Sequence, residues 1–74
     1  MIEFNGKKYD NQHGKPFDRG SADSYYHRAE DPHWWPDGTY NGTRVEASEM
    51  SKAEIEAYHA GFSWNESMNN FKEW

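Results

Sequence analysis

Apolar and polar positions alternate at the start of the chain, where Ile2-Glu3-Phe4 and Lys7-Lys8-Tyr9 flank Asn5-Gly6. Asn-Gly is the preferred pair for a two-residue type I′ turn, because both positions need φ > 0. The pattern predicts a β-hairpin over 1–10 with Phe4 facing Lys7 and Ile2 facing Tyr9. Residues 10–17 are turn-rich and read as a connector. Helical spacing follows: Ala22, Tyr25, Tyr26 and Ala29 stand at i, i+3, i+4 and i+7 and predict a first helix over 19–30. It should stop there, since Asp31 precedes Pro32 and that position is biased away from helical backbone. A connection over 31–48 holds Trp34-Trp35 between Pro32 and Pro36, then a Pro36-Asp37-Gly38 turn. A second Asn-Gly at 41–42 suggests another short hairpin reaching Val45. Ser51 and Glu54 form a capping box, with Met50 and Ile55 placed as a hydrophobic staple, and open a second helix over 52–68. Ile55, Tyr58 and Phe62 make one stripe of that helix; Ala57, Gly61, Trp64 and Met68 make its neighbour. Gly61 could end the helix or admit another backbone closely. The apolar spacing persists beyond it, which favours continuation. Phe71 and Trp74, three apart, suggest a final turn folding back. The expected architecture is α+β, mainly α: two packed helices joined by a long Pro/Gly/Trp loop, with a short N-terminal β-hairpin, in one small domain spanning 1–74.

Composition changes what the core must be made of. Leucine is absent, and Ile2, Val45 and Ile55 are the only β-branched aliphatics, yet 18% of the 74 residues are aromatic. So few aliphatics would by themselves suggest disorder, whereas disordered chains are poor in aromatic rings. Each ring buries about 150–250 Å², so a few can replace many leucines in a miniature core. Rings left over would be exposed, and exposed Tyr and Trp commonly anchor interfaces.

Charge and motif content exclude several function classes. With no cysteine, neither a disulfide scaffold nor a cysteine zinc site is expected. No apolar run approaches the roughly 20 residues of a membrane span, and Met1–Gly6 has no signal pattern, so a cytoplasmic protein with no membrane partner is expected. Asn41-Gly42-Thr43 and Asn65-Glu66-Ser67 match the glycosylation pattern by chance in that setting. The net charge is −5, with the acidic excess in the C-terminal half, which phosphate backbones repel and a basic protein surface would attract. The four histidines lack metal-ligand spacing, so no metal or other cofactor is expected. Asp23, Glu30, Asp31, His27, His33 and His59 could be drawn as acid/base pairs, and Ser21, Ser24, Ser48 or Ser51 as nucleophiles. No serine elbow or phosphate-binding glycine loop marks any of them, and a non-enzymatic role is expected.

The richest candidate segment interleaves cations and rings: Tyr25, Tyr26 and Arg28, then His33, Trp34 and Trp35. It can be read as a core stripe with a tryptophan lid, as a protein interface, or as a base-stacking surface. Glu54, Tyr58 and Phe62 on the second helix complete the candidate partner contacts. Its other acidic neighbours, Glu46, Glu49, Glu56 and Glu66, would meet a basic surface.

The run from Arg19 to Arg28, then Pro32-His33-Trp34-Trp35-Pro36, Glu56–Phe62, Asn65-Glu66 and the closing Phe71–Trp74 resembles a group of small proteins of tailed bacteriophages. The resemblance implies a phage or prophage origin and action in the cytoplasm of an infected bacterium. A weaker resemblance is to ribosome modulation factor, a small two-helix family that binds 16S rRNA and promotes inactive ribosome dimers. Arg19, Gly20, Arg28, Pro32, Tyr58, Gly61 and Phe62 occupy comparable places. That family is strongly basic and lacks the long insert 36–48. The leading expectation is a non-enzymatic interaction protein that binds and modulates or inhibits a bacterial host protein. The alternative is a ribosome- or RNA-associated factor. Exposed rings are also compatible with a homodimer.

Overall fold

The computed structural model describes residues 1–73. Strands β1 (Ile2–Phe4) and β2 (Lys7–Tyr9) pair antiparallel with Ile2 opposite Tyr9 and Phe4 opposite Lys7, the expected register. Asn5 at φ 53° and Gly6 at φ 76° give the left-handed pair that this turn requires. Tyr9 is buried and its ring stacks on Phe17 at 5.2 Å between centroids.

Helix α1 runs Pro16–Tyr25, displaced from the expected 19–30 at both ends. It begins earlier because Pro16 occupies the first helical position, where a fixed φ and a missing N–H cost nothing. Asp18 supports that start by accepting a hydrogen bond from the Gly14 amide at 2.9 Å. The helix ends earlier because His27 adopts φ 60°. The His27 amide then bonds the Ser24 carbonyl at 3.0 Å and the Arg28 amide bonds the Asp23 carbonyl at 2.8 Å. This is a Schellman closure with histidine at the position usually held by glycine. The buried stripe differs accordingly. Phe17, Gly20, Asp23 and Ser24 face inward, whereas Tyr26 and Ala29, expected in the stripe, are exposed.

Helix α2 spans Lys52–Met68 as expected. The Ser51 hydroxyl accepts from the Glu54 amide at 3.1 Å, and the Glu54 carboxylate accepts from the Ser51 amide at 2.8 Å. Gly61 lies inside the helix and is one half of its crossing with α1. A Cβ at Gly61 would lie 2.0 Å from the Phe17 carbonyl oxygen, and one at Gly20 would lie 1.9 Å from that of Tyr58. The two backbones therefore touch through paired glycines. Phe17 and Tyr58 are almost wholly buried beside that crossing, and Trp64 leans on Phe17 at 5.7 Å.

The connection between the helices is more ordered than a loop. Strands β3 (His33–Trp34) and β4 (Val45–Glu46) pair antiparallel, and a single 3₁₀ turn, Ala47–Glu49, leads into Met50, which is buried. Val45 does enter a hairpin, but Trp34 is its partner and the segment 35–44 closes it. A tight Asn41-Gly42 turn does not form: Tyr40 and Gly42 take positive φ, while Asn41 does not. After α2 the chain folds back along the end of α1. The Lys72 amide bonds the Tyr25 carbonyl at 2.8 Å, and the Phe71 ring stacks on His27 at 5.3 Å. The Trp74 half of the expected final turn lies outside the described residues.

Candidate interaction surface

Two of the expected partner contacts belong to the interior. The Tyr58 hydroxyl donates to Asp23 and accepts from the Asp31 amide at 2.9 Å. Burial first, then that donation to a carboxylate, pushes the Tyr58 hydroxyl far above its ordinary value. His33 donates from Nδ1 to the Asp31 carbonyl at 2.7 Å and lies 3.9 Å from Asp23. Tyr58 is 0% exposed and His33 7%, so neither offers a surface to a partner. The polar groups here satisfy one another away from solvent. The same holds for Ser24, which donates to Glu66 and accepts from the Asn65 amide group at 3.0 Å. Asp23 and Ser24, which could have been drawn as catalytic groups, are thus committed to joining α1 to α2.

The acidic residues expected to form a docking face are likewise engaged within the chain. Glu54 caps α2. Glu46 and Glu49 form a capping box around the 3₁₀ turn, and Glu46 also meets Arg44 at 2.9 Å. Glu56 accepts from Lys7 at 2.8 Å and from the Tyr9 hydroxyl at 3.2 Å. Those two donors hold the Glu56 carboxyl below its ordinary value, and the Glu56 partnership raises Lys7.

Trp34 and Trp35 are half-buried rather than free. The Lys15 ammonium lies 5.3 Å from the centre of the Trp34 ring, and the Trp35 amide donates to the Gly14 carbonyl at 2.8 Å. They act chiefly as a lid fixed to the turn before α1. Phe62 and Tyr25 are also half-buried.

What remains outside is a continuous strip. The Arg28 guanidinium lies 5.3 Å from the Tyr26 ring, and Tyr26 meets Tyr25 edge-on at 4.9 Å. The neighbouring Tyr40 hydroxyl is the main cause raising the Arg28 pKa, and the guanidinium lies 3.5 Å from the buried Asp23 carboxylate. Tyr40 in turn meets Trp35 edge-on at 5.6 Å. Tyr40 is 72% exposed, Tyr26 40%, and the Arg28 side chain 53%. Sequence reasoning named Tyr26, Arg28 and Trp35 but missed Tyr40. The available signal was its position between Gly38 and Gly42, in a turn-rich segment with no helical or strand period to bury it. Tyr40 also holds φ 65°, a left-handed conformation uncommon for a bulky side chain.

The described residues enclose no pocket, and no helix among them is long and apolar enough to cross a membrane. No family model, curated protein or solved structure matches the chain.

Proposed function

We propose that this protein is a non-enzymatic interaction module that docks on a protein partner through Tyr26, Arg28, Tyr40 and the edge of Trp35. The observation that carries the reading is the composition and support of that strip. Tyr, Trp and Arg are the residues most enriched at interface hot spots, and here they are contiguous. Arg28 is held between a ring, a hydroxyl and a buried carboxylate, so little side-chain freedom is lost when a partner arrives. In the setting that the bacteriophage resemblance implies, the partner is a host protein in the bacterial cytoplasm, which binding modulates or inhibits. The acidic side chains contribute a long-range field that favours a basic partner, while the contact itself is aromatic.

The test is affinity capture by the tagged protein from bacterial lysate, with and without nuclease, beside Tyr40→Ala and Arg28→Ala variants checked for native circular dichroism. A stoichiometric, nuclease-resistant protein retained by the native chain and lost with folded Tyr40→Ala supports the reading. Equal retention by both folded variants overturns it. Interleaved cations and rings, Arg28 on Tyr26 and Lys15 on Trp34, favour a second reading as an RNA- or ribosome-associated factor. Recovery of 16S rRNA that nuclease abolishes would establish that reading instead.

A further inference from the structure

Arg19 is a buried cation whose surroundings do not balance it. It lies on the inward face of α1 and is 6% exposed. Its Nη1 donates to the Thr39 hydroxyl at 2.6 Å, and its Nε is buried without an acceptor. No ion pair joins Arg19 to any described residue. A guanidinium carries five N–H donors, and burying it against one neutral hydroxyl leaves most of its hydration unreplaced. Other cations in the structure do not share this condition. Lys7 meets Glu56, Arg28 meets Asp23, and Arg44 meets Asp31 and Glu46. Arg44 Nε also lacks an aligned hydrogen bond, but it sits 2.9 Å from a Glu46 oxygen and its charge is compensated.

A second orphan donor is carried by the same covering segment. Trp34 Nε1 is buried with no acceptor, although a buried indole N–H ordinarily finds one. Trp34 is placed over Lys15, which lies one helical turn before Arg19 and accepts its amide at 2.9 Å. Thr39 is placed over Arg19 itself. The segment from Trp34 to Thr39 therefore runs along the Lys15–Arg19 edge of α1. It sets the Thr39 hydroxyl on the Arg19 guanidinium and the Trp34 ring over the Lys15 ammonium. Each of these groups can donate, and two of the donors are buried with nothing to receive them.

We infer that this edge is an oxyanion site, built for a phosphate group held chiefly by the Arg19 guanidinium and the Trp34 indole N–H, with Lys15 adding charge. Phosphate is the chemistry that a planar guanidinium recognises best, neutral N–H donors can add to its hold, and its charge supplies the missing counterion. As described, the residues close on themselves without a pocket, so seating the anion requires the segment 35–44 to shift. Gly38 at φ 94° and Gly42 at φ 74° are the points where its backbone turns most freely. The inference does not depend on the protein-docking role of Tyr26 and Tyr40.

The test titrates inorganic phosphate, and in a separate arm a nucleoside monophosphate, at ionic strength held constant with sodium chloride. The readouts are Tm and the Trp34 indole resonance. The native protein should show a saturable rise in Tm with phosphate and a shifted Trp34 Nε1–H signal. A response to the nucleotide alone would assign the group to a small phosphorylated metabolite, and a response to both would assign it to free phosphate. Arg19→Met removes an uncompensated buried charge, so it should fold at least as stably as the native chain in phosphate-free buffer and lose the phosphate response. Trp34→Phe keeps the ring over Lys15 while removing the orphan donor, and should weaken phosphate binding about tenfold. This variant decides the matter if Arg19→Met does not fold. Absence of any response beyond the chloride control, or an undiminished response in Trp34→Phe, overturns the inference.

Discussion

Asp23 shows how much of this fold depends on single polar side chains. Its carboxylate is 3% exposed, accepts from the Tyr58 hydroxyl, and is approached by Arg28 and His33. Tyr58→Phe preserves the ring volume but takes away that donor and leaves the Asp31 amide without its acceptor. The expected cost is about 2 kcal/mol, read as a lower urea midpoint at unchanged slope. The same hydroxyl predicts an alkaline limb. Its folded-state pKa lies above the ordinary 10.0. Its contribution is therefore complete below pH 10.0 and declines as pH rises beyond it, because the unfolded chain ionises first. Tyr9, shifted in the same direction by burial, adds to that limb. Stability measured from pH 8 to 11 should fall less steeply for Tyr58→Phe than for the native chain. A parallel decline in both proteins would remove Tyr58 from the account. None of this was legible in the hydrophobic pattern, which assigns Asp23 and Ser24 to the solvent face. Their burial depends on partners on α2, and spacing within α1 carries no information about those. Tyr40 escaped for the converse reason: its importance comes from being left outside, beside Arg28 and Trp35.

At the scale of elements, the two helices owe their separation to what is missing from Gly20 and Gly61. A methyl group at either position would stand about 2 Å from a main-chain oxygen of the opposite helix, closer than any tolerated contact. Backbone cannot swing aside as a flexible side chain does, so the helices would have to part and uncover Phe17 and Tyr58. Gly20→Ala and Gly61→Ala should each cost at least about 3 kcal/mol, enough to unfold most of a domain this small. Gly6→Ala provides the contrast. It meets nothing within 4 Å and is penalised only by its φ of 76°, worth about 1 kcal/mol. Thermal melts of the three variants should separate the two helical substitutions from the hairpin one by a wide margin. Comparable losses in all three would show that the crossing tolerates expansion. Helix α2 could be read from sequence because its signals are local: Ser51 and Glu54 cap it, and apolar spacing carries it past Gly61. Helix α1 could not be bounded the same way. Its stop is a histidine in a left-handed position, and Ala29 extends the apparent stripe beyond it.

Across the whole molecule, the helix pair is bordered by two chain ends tied down by different chemistry. The C-terminal segment is joined through its main chain, by Lys72 to Tyr25 and by Asn65 to the Asn70 carbonyl at 2.8 Å. The hairpin is joined by the Tyr9 ring on Phe17 and by Glu56, which receives both Lys7 and the Tyr9 hydroxyl. Hairpin register was legible because Asn-Gly fixes it locally. This attachment was not, since it joins residues almost fifty positions apart, and neither was the docking of 35–44 on the turn before α1. Only the hairpin attachment titrates through Glu56. The Glu56 pKa is depressed from 4.5, so its contribution is present above that pH and lost as pH falls through the lowered value. Lys7 is raised from 10.5, so its share is complete below that pH and lost as pH rises through the raised value. Between those limits the tie is intact. On acidification, amide protection in residues 2–9 should fall before that in α2, because Glu56 ties only the hairpin, whereas main-chain contact through paired glycines holds the helices together. Glu56→Gln keeps an acceptor for Lys7 and Tyr9 but no charge. Its hairpin should be less protected than the native one at pH 7 and lose little further protection down to pH 4. If the hairpin and α2 instead lose protection together in the native chain, the hairpin belongs to the same cooperative unit as the helices, and Tyr9 on Phe17 outweighs Glu56 in holding it.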